Sequence, residues 1–525
     1  MTEKPDGQEE VFAFLADPLT YGYRRGGSEA VRRIDTHAAS VFLAGGRALK
    51  VKRAVRFSFL DYSTLEKRKA ACEAELAVNA RYAPEIYRGI LAITREADGA
   101  LALQGDGTPV EWAVDMHRFD ETRTLDNLAD TIDEGLAEAL GSAVAAAHAQ
   151  SPVVEAGPWI EALKTYVDRN LSAFRDSPAL FEPDAVTALD RQARDAYARI
   201  GPLLLARGRM GRVRRCHGDL HLGNIALIDG RPVLFDAVEF DPLIATGDVL
   251  YDLAFLLMDL CNRNRVDAAN IILNRYLIET RCIEDLDGLA ALPFFLSLRA
   301  AIRAQVTAAR LNRAAANARP AIAQAARRYF ALSRRAIAPP APGLIAVGGL
   351  SGTGKTRLPR KLAPHVSPLP GAVILRSDIE RKALFGAAET EKLPESAYAA
   401  EVTRRVYATL NDKARRVVIA GHSALVDAVF AKRDERDGVA AAAKSIGVRL
   451  QALFLTASLD ARLARLRGRS NDASDADEAV ARAQERFDLD QREWEAIDAS
   501  GSVEETLTRA LDVLGFSENK TAPRN

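Results

Sequence analysis

The chain has 525 residues, of which 48% are hydrophobic and 27% charged, as expected of a globular protein with an ample core. Lysine plus arginine and aspartate plus glutamate both number 71, so no global basic excess points to nucleic acid or a membrane as a bulk electrostatic partner. The four cysteines form no Cys-x-x-Cys pair, which favours a reducing compartment, and the acidic start MTEKPDGQEE is not typical of a signal peptide. No uninterrupted apolar run reaches about 18 residues, so we expect no transmembrane helix and a cytoplasmic protein.

The first part of the chain is predicted to consist of strands and one long helix. The stretch SVFLAGGRALKVKR contains two β-type runs joined by Gly45-Gly46, which is a hairpin signal. The following STLEKRKAACEAELAVNARYAP predicts a helix that is capped by Ser63 or Thr64 and ends before Pro84.

From about residue 124 to 335 the pattern is mostly helical, except for the short strands IALI and VLF on either side of the turn pair Asp229-Gly230. The segment APPAP (Ala338–Pro342) is the clearest linker. Beyond it, strands and helices alternate, which predicts a parallel α/β sheet. We therefore expect a first domain over residues 1–335, a Pro/Ala linker over 336–342, a second domain over 343–516 and a disordered tail over 517–525.

The stretch HGDLHLGN carries residues suited to phosphoryl transfer. Asp219 precedes Asn224 by five positions, which is the spacing of the H-R-D-x-x-x-x-N catalytic loop of kinases, and Asp236 follows the strand VLF, where a second metal-binding Asp would lie. Such a site needs a carboxylate beside the acceptor hydroxyl, ligands for Mg²⁺ and a cation on the phosphates of ATP. Glu239 and Asp241 fit acceptor contacts and surface or capping roles equally well. Structural roles are expected for four neighbouring residues, namely Cys216, His221, Asp248 and Asp252.

The phosphate-binding cation is expected on the second strand of the N-terminal hairpin. In RALK, Ala48 and Lys50 share one strand face, as in the V-A-I-K arrangement of kinases. Lys52 lies on the same face and is the alternative. A helical Glu should pair with this lysine, and Glu75 is the first choice, with Glu73 second.

These residues depart from the protein-kinase pattern in two places. The stretch DTHAAS, in which Thr36 and Ser40 could cover the phosphates, replaces a GxGxxG loop, and Asp236-Ala237-Val238 replaces D-F-G. The chain resembles the aminoglycoside phosphotransferase-like kinases, whose signature is HGDLHxGN followed by a strand ending in Asp. The stretches THAASVFLAGGRALKVKR, STLEKR, VEFDP and YDLAFLLMDL resemble two-domain proteins that join such a kinase-like half to a C-terminal P-loop kinase domain.

This resemblance covers nearly the whole chain and implies a bilobal kinase-like fold in which ATP lies between the lobes. It implies that Asp219 is the catalytic base and that Asn224 and Asp236 are the Mg²⁺ ligands. It also implies that Lys50 contacts the phosphates.

A second phosphate-binding motif lies in GLIAVGGLSGTGKTRL, which predicts a strand, a glycine loop and a helix and meets G-x-x-x-x-G-K-[ST] in full. Gly352 and Gly354 let backbone N–H groups turn towards the phosphates, Lys355 reaches the β- and γ-phosphates, and Thr356 binds Mg²⁺. We expect nucleotide binding by Gly349, Leu350, Ser351, Gly352, Thr353, Gly354, Lys355 and Thr356.

The remainder of this half supplies candidates for chemistry. Asp378 follows the strand AVILR at the end where open α/β sheets bind ligands, and it suits a base for an acceptor hydroxyl. Arg381, one helical turn later, could orient the acceptor or its phosphate. Asp427 ends the strand in SALVDAVF at a Walker B-like position for Mg²⁺ or its water. Arginines of a predicted lid could neutralise the transferring group, although a solvated helix face is the alternative for any one of them; they are Arg462, Arg465, Arg467 and Arg469.

Arg469 is the preferred lid residue because R-S-N-D-A-S-D-A resembles the lid signature of this kinase group. The half as a whole resembles small P-loop kinases, including gluconate kinase-like and polynucleotide 5′-hydroxyl kinase-like families. Asp378 with Arg381 resembles the acceptor pair of the polynucleotide kinases.

The sequence therefore predicts an α/β and α+β protein: a bilobal protein-kinase-like domain followed by a parallel-sheet P-loop kinase domain. The predicted function is ATP- and Mg²⁺-dependent transfer of the γ-phosphoryl group to hydroxyl groups of small molecules. One alternative is a regulatory protein in which one pocket senses nucleotide and gates the other. Another is a 5′-hydroxyl nucleic-acid kinase in the C-terminal half, its substrate guided by arginines of helix 299–313. Nucleic acid is the less favoured partner, and no membrane partner is expected.

Overall fold

The computed structural model describes residues 8–24, 30–57, 60–467, 473–487 and 494–516. By its internal contacts the chain divides into two compact units. Unit 1 comprises residues 1–163 and 204–256, and unit 2 comprises residues 164–203 and 257–525. The helices before the Ala338–Pro342 segment therefore share a unit with the sheet after it, while the expected tail 517–525 lies outside the described residues.

Unit 1 begins with an antiparallel sheet. Its elements are α1 (Gln8–Ala16), β1 (Arg32–Asp35), β2 (Ala39–Ala44), β3 (Arg47–Lys52), β4 (Arg56–Phe57), β5 (Leu60–Asp61), α2 (Leu65–Asn79), β6 (Tyr87–Arg95), β7 (Leu101–Leu103) and β8 (Thr108–His117). Six strands form one sheet in the order β1-β2-β3-β8-β6-β7, and β4 pairs with β5. The predicted Gly45-Gly46 hairpin joins β2 to β3, with Val41 opposite Lys50. Thr64, one of the two residues predicted as the cap of α2, caps this helix by accepting the N–H of Lys67 at 3.3 Å.

The apolar face of this sheet is covered by α1. Phe12 and Leu15 of the helix pack with Phe42, Leu49 and Val51 of the strands, and all five are buried. This packing fixes β3, so that the residues of its opposite face project at defined positions.

The second part of unit 1 carries the predicted catalytic loop. Its elements, three of which continue into unit 2, are α3 (Glu134–Gln150), α4 (Gly157–Arg175), α5 (Pro183–Arg209), β9 (Val213–Arg215), β10 (Ile225–Ile228), β11 (Arg231–Leu234), β12 (Thr246–Asp248) and α6 (Val249–Asn262). The predicted turn pair Asp229-Gly230 joins β10 to β11, and both residues have positive φ, 49° and 75°. The loop 216–224 thus lies between the end of β9 and the start of β10.

Unit 2 contains a helical layer with α7 (Val266–Thr280), α8 (Ile283–Gly288), α9 (Leu292–Ala309) and α10 (Arg319–Ile337). The stretch Ile283–Asn312 has the length and composition of a membrane span, but 67% of its most apolar window is buried in the fold, as in core helices of globular proteins. The four arginines predicted to guide a nucleic-acid backbone differ in exposure. Arg299 is buried, and the guanidinium of Arg303 lies 5.7 Å from the ring centroid of Tyr329. Only Arg310 and Arg313 are exposed. These arginines therefore do not form a continuous exposed basic stripe.

The rest of unit 2 is the predicted parallel sheet with helices on its faces. Its elements are β13 (Leu344–Gly349), α11 (Arg357–Leu362), β14 (Val373–Arg376), α12 (Ser377–Leu384), α13 (Ala400–Ile419), β15 (Ala424–Asp427), α14 (Arg433–Ser445), β16 (Leu450–Thr456), α15 (Leu459–Arg467), α16 (Glu478–Ala483), β17 (Glu495–Asp498) and α17 (Val503–Leu514). The strand order is β14-β15-β13-β16-β17 and every pairing is parallel.

The central strand β13 is buried along its whole length. Because all five strands run in one direction, the ends of β13, β14 and β15 lie at one edge of the sheet, where open α/β folds bind ligands. Gly349, Arg376 and Asp427 are the last residues of these three strands.

Candidate nucleotide and phosphotransfer sites

In unit 1, the structure brings Lys50 together with Glu75 and Asp236. The Nζ atom of Lys50 lies 2.8 Å from Glu75 Oε1 and 2.6 Å from Asp236 Oδ1. Burial alone would lower the pKa of Lys50, but the Asp236 and Glu75 carboxylates outweigh burial and hold that pKa well above its usual value. Lys50 is therefore a permanent cation. It lies beside Asp236, which follows β11, and a nucleotide phosphate bound there would be neutralised by it.

Lys52, the alternative to Lys50, shares Glu75 with it but differs in its second partner. Its side chain is 3% exposed, its Nζ atom lies 2.5 Å from Glu75 Oε2, and it also pairs with Glu239. Tyr62 donates its hydroxyl to Glu239 Oε1 at 3.1 Å and presents its ring to Lys52 at 5.4 Å. Glu239 is therefore engaged with Lys52 and Tyr62, and Lys52 is an internal counterion. The second-choice Glu73 is half-exposed and lies 3.8 Å from Lys69.

Glu75 is the shared anion of the two lysines. Burial would raise its pKa, but the charges of Lys50 and Lys52 lower the pKa of this fully buried carboxyl to about 2. The carboxylate bridges the two Nζ atoms through its two oxygens. Glu75, on α2, thus fixes the position of the Lys50 side chain.

The catalytic loop is held from behind by Asp252. Its carboxylate accepts the N–H of Gly218 at 2.9 Å and that of His217 at 3.3 Å, and His148 Nε2 lies 3.1 Å from it. Gly218 has a φ of 82°, and a Cβ there would lie 2.9 Å from the Ala245 Cα, so only glycine fits where protein kinases have Arg. Burial lowers the pKa of His217, which keeps its ring neutral as it bonds the Phe235 carbonyl oxygen at 2.9 Å. These contacts agree with the structural role expected for Asp252.

Within that loop, Asp219 and Asn224 are in direct contact. The Asn224 amide nitrogen donates to Asp219 Oδ2 at 3.1 Å and to the Asp219 carbonyl oxygen at 3.0 Å. This leaves Asn224 Oδ1 as the atom able to bind a cation. The Asp219 side chain is 42% exposed, and His221 Nε2 lies 3.5 Å from its Oδ2 atom. A half-exposed carboxylate can accept a proton from an incoming hydroxyl.

The backbone that presents Asp236 is strained and tightly bonded. Asp236 has a φ of 60°, which costs free energy for a non-glycine residue and is common at functional sites. Its N–H donates to the Tyr87 hydroxyl at 3.2 Å. The buried Asn79 side chain holds the next residue, accepting the Ala237 N–H at 2.7 Å and donating to the Ala237 carbonyl at 3.2 Å. The Asp236 carboxylate and Asn224 Oδ1 are hard oxygen donors, which fits them to Mg²⁺.

Thr36 and Ser40, expected near the phosphates, bond within their own turn. The Thr36 hydroxyl donates to the Ala39 carbonyl at 3.0 Å, and Ser40 donates to Asp35 Oδ1 at 2.7 Å. Both hydroxyls are therefore engaged within the protein.

In unit 2, the predicted P-loop follows β13 and leads into α11. Gly352 and Gly354 have φ of 84° and 92°, and a Cβ on Gly352 would lie 2.6 Å from the Arg462 carbonyl oxygen. The loop is fixed on its outer side, because the N–H of Ser351 donates to Gln484 Oε1 at 2.7 Å and Arg462 Nε donates to the Ser351 carbonyl at 2.8 Å. The positive φ values of Gly352 and Gly354 give the loop a backbone shape in which N–H groups can turn towards a phosphate.

A groove of about 1650 Å³, open to solvent, runs from the P-loop to the segment after β17. Arg465 joins its two walls: its guanidinium donates to the carbonyl of Thr353 at 3.4 Å and to those of Ala499 at 2.6 Å and Gly501 at 3.1 Å. The groove offers the space beside a P-loop that the nucleoside part of a nucleotide requires.

The predicted lid arginines have different environments. Arg462 is buried and Arg465 spans the groove, so a solvated helix face is wrong for these two residues. Arg467 has a 66% exposed side chain and pairs with Glu478 at 2.6 Å. Arg469, the preferred lid residue, lies outside the described residues.

The metal side of this site is formed where β14 and β15 end. Asp427, at the end of β15, is 3% exposed, and Lys355 of the P-loop is 6% exposed. Arg376 lies between the two predicted Mg²⁺ ligands, with Nε 3.4 Å from Asp427 Oδ2 and Nη2 3.5 Å from Thr356 Oγ1. The hydroxyl and carboxylate oxygens of Thr356 and Asp427 fit Mg²⁺.

The acceptor side is built on the first turns of α12. Asp378 is the second residue of this helix, two positions beyond the strand, and is half-buried. Arg381 is 7% exposed; it donates to the Ala397 carbonyl at 2.6 Å, and its guanidinium lies 4.9 Å from the Tyr398 ring centroid. Arg381 is therefore buried against Tyr398 and bonded to the segment that precedes α13.

Asp475 connects the segment that begins at residue 473 to α12 and to the residues that follow this helix. Its carboxylate accepts from Lys382 Nζ at 2.9 Å, the Leu393 N–H at 3.0 Å and the Tyr398 hydroxyl at 2.5 Å. The sequence prediction did not include Asp475, Arg376 or Asn79. Asp475 belongs to the acidic run NDASDAD, which follows the arginine-rich helix α15. This change in composition was the available signal for Asp475, whereas no sequence signal marked Arg376 or Asn79.

Two protein families match the chain. Residues 56–292 match the phosphotransferase enzyme family and residues 344–489 match the AAA domain. This confirms the predicted kinase-like half followed by a P-loop half, and it confirms the fold class. It supports phosphotransferase activity at the level of the family.

Relatives with the same extent also exist. The uncharacterized protein Rv2004c of Mycobacterium tuberculosis is 26% identical over 489 residues, which cover 91% of this chain and 94% of the relative. Among solved structures, a gluconokinase from Sinorhizobium meliloti is 20% identical, with 34% of this chain and 95% of that chain covered and a TM-score of 0.25. The aminoglycoside phosphotransferase APH(3'')-Id from Streptomyces rimosus is 19% identical, with 55% and 97% covered and a TM-score of 0.32.

Proposed function

From a chain that joins a domain of the phosphotransferase enzyme family, at residues 56–292, to a P-loop AAA domain, at residues 344–489, we infer a phosphotransferase with two nucleotide sites. Each site transfers the γ-phosphoryl group of ATP to a hydroxyl group of a small molecule. The observation that carries the proposal is the pairing of Lys50 with Asp236 and of Asn224 with Asp219 in one unit, where the Phe235 N–H joins the two pairs by donating to the Asn224 carbonyl at 3.0 Å. The complete P-loop lies in the other unit.

At the first site, Asp219 is the proton acceptor. Its carboxylate is half-exposed, and the Asn224 amide fixes its orientation in the loop. As the acceptor oxygen bonds to the γ-phosphorus, the bond from that phosphorus to the bridging oxygen breaks and ADP leaves, while the hydroxyl proton passes to this carboxylate. Lys50 neutralises the phosphates from its fixed position above Glu75. Asn224 and Asp236 would hold Mg²⁺, which when bound neutralises charge on the phosphates.

At the second site, the P-loop N–H groups and Lys355 hold the nucleotide phosphates, and the groove spanned by Arg465 takes the nucleoside. Thr356 and Asp427 would hold Mg²⁺. Asp378 would accept the proton of the acceptor hydroxyl. This role is supported by its position directly after the edge strand β14, which is two strands away from the P-loop strand β13.

Small molecules are favoured over nucleic acid as acceptors. A nucleic-acid kinase would need a basic path for the phosphate backbone. Arg299 is buried and Arg303 packs on Tyr329, so these two arginines of helix α9 do not form such a basic path.

The direct test is transfer from radiolabelled ATP to a panel of sugars, aminoglycosides, nucleosides and oligonucleotides by the full chain. Asp219→Asn and Lys355→Ala assign each labelled product to one site. We expect products that depend on one of these residues and not on the other. Labelling of no hydroxyl compound by the purified full chain, with ATP bound at both sites, would favour the regulatory alternative.

A further inference from the structure

Arg376 is the last residue of β14 and lies on the metal side of the second site. It is 6% exposed, and its guanidinium faces Asp427 Oδ2 at 3.4 Å and Thr356 Oγ1 at 3.5 Å. These are the side chains that would hold Mg²⁺. A metal ion needs oxygen ligands at about 2.1 Å, so the guanidinium and the ion cannot share these oxygens without a displacement of the arginine.

The other edge of the guanidinium faces a carboxylate that is fixed from outside the sheet. Arg376 Nη1 lies 3.8 Å from Glu389 Oε1, and Glu389 Oε2 accepts from Arg275 Nη1 at 2.6 Å. Arg275 belongs to α7, and its Nε also donates to Glu279 at 3.0 Å. Glu389 is therefore held between two arginines, one on the helix and one in the site.

The same helix fixes the backbone of β14. Asn270 Nδ2 donates to the Ala372 carbonyl at 3.0 Å, and Asn274 accepts the Ile374 N–H at 2.7 Å. Because β14 is an edge strand, these side chains satisfy backbone groups that have no neighbouring strand. A Cβ on Gly371 would lie 2.7 Å from Asn270 Nδ2, so glycine permits the close approach. The strand that carries Arg376 is thus fixed by a helix of the phosphotransferase-family region.

We propose that Arg376 competes with Mg²⁺ for Thr356 and Asp427 and that nucleotide binding moves it onto the transferring phosphoryl group. Helix α7 positions it for this movement through Glu389. The proposal rests on the proposed function, because it requires a nucleotide on Lys355. The charges support it: Arg376 neutralises Asp427, a divalent ion replaces it there, and Glu389 keeps the released guanidinium beside the phosphates. An arginine so placed stabilises the charge on the equatorial oxygens of the transition state.

The test uses Mn²⁺ as a magnetic probe of the full chain, with Asp236→Asn in every sample to remove the metal site of unit 1. In this background, Arg376→Met should bind Mn²⁺ about tenfold more tightly without nucleotide, because a cation close to the metal position has been removed. With ATP, its hydrolysis by water should fall about 10²-fold or more, as for loss of a transition-state donor. Arg376→Lys should restore part of both values. The matched control is Arg404→Gln on α13, an arginine with a 68% exposed side chain, which should change neither.

A second pair of variants tests the role of α7. Arg275→Gln leaves Glu389 free to attract Arg376 away from Asp427, so Mn²⁺ should bind about threefold more tightly, a modest effect of a charge acting through a neighbour. In the Arg376→Met chain the same change should have no further effect. A purely structural role for Arg275 would alter thermal stability in both chains without this dependence.

Unchanged Mn²⁺ affinity in Arg376→Met, with Lys355-dependent nucleotide binding intact, would overturn this proposal alone. Equal effects of Arg275→Gln with and without Arg376 would overturn the positioning by α7. If the parent chain shows no nucleotide binding that depends on Lys355, the proposed function and this inference are both overturned.

Discussion

Lys50 and Asp236 form an ion pair with 2.6 Å between Nζ and Oδ1, so the predicted phosphate cation and a predicted magnesium ligand neutralise each other across the first site. Lys52, two residues later on the same strand, does not reach Asp236 and pairs with Glu75 and Glu239. The two lysines share a strand face but belong to different parts of the site, which leads to the first prediction.

Lys50→Met should act mainly on nucleotide affinity, and Lys52→Met should act mainly on stability. Lys50→Met should weaken nucleotide binding at the first site by about tenfold or more, with a smaller loss of stability, because a phosphate contact is removed. Lys52→Met should cost about 3–5 kcal/mol of stability, because it leaves the buried Glu239 without its lysine and removes one of the two cations of Glu75. Nucleotide titration and urea unfolding of both variants measure this. Equal loss of nucleotide affinity in both would mean that Lys52 is also a phosphate contact.

Glu75 should make the stability of the protein depend on acid pH. Its folded pKa of about 2 is below the ordinary value of 4.5, so its stabilising contribution is complete above about pH 4.5 and is lost as the pH falls towards about 2. Glu75→Gln should therefore be less stable than the wild type at pH 7, and the difference should narrow as the pH is lowered.

The matched control for this experiment is Glu73→Gln, two positions away on the same helix. Its side chain is 54% exposed and lies 3.8 Å from Lys69, so its removal should change stability little at any pH. Urea unfolding from about pH 7 to about pH 3 gives both curves. A constant difference between Glu75→Gln and the wild type over this range would contradict the assigned pKa.

Asp219→Asn should remove chemistry from the first site and leave binding. The amide keeps the packing against Asn224 but cannot accept the hydroxyl proton, so transfer should fall by about 10²–10⁴-fold. ATP affinity at this site should change less than about fivefold, because Lys50 and Asp236 remain. Initial rates with the labelled acceptor and a parallel ATP titration test this, and undiminished turnover would remove Asp219 from the mechanism.

Asp378→Asn should separate binding from chemistry at the second site. Asp378 lies on α12 beyond the edge strand β14, whereas the predicted phosphate and metal ligands Lys355 and Thr356 follow the central strand β13. ATP affinity should change by less than about 1 kcal/mol, and transfer should fall at least about 10²-fold. Arg381→Ala should act mainly on apparent acceptor affinity through Tyr398. A loss of ATP binding as severe as that of Lys355→Ala would make Asp378 a nucleotide or metal ligand.

The sequence was informative where chemistry depends on short spacings. The five-residue step from Asp219 to Asn224, the P-loop and the hairpin at Gly45-Gly46 are local, so the residues that meet in space are close in the chain. The pairing of Lys50 with Glu75 could be anticipated because the kinase arrangement specifies it. The choice between Lys50 and Lys52 could not, because it depends on how deeply each side chain is buried.

Long-range contacts were beyond this kind of prediction. Asn79 and Ala237 are 158 positions apart, and Arg275 and Glu389 are 114 positions apart. No periodicity connects such pairs, and a buried Asn on a helix resembles any polar helix residue until its partner is known. The domain limits at residues 335 and 343, the cytoplasmic location and the lid role of Arg469 stay predictions.

Two independent nucleotide sites in one chain are the central claim, and calorimetric titration of the full chain with a non-hydrolysable ATP analogue and Mg²⁺ tests it most directly. We predict two binding events in the wild type. Lys355→Ala should abolish one event and Lys50→Met should strongly weaken the other, each leaving its counterpart unchanged. A single binding event in the wild type, or loss of both events in either variant, would contradict the account.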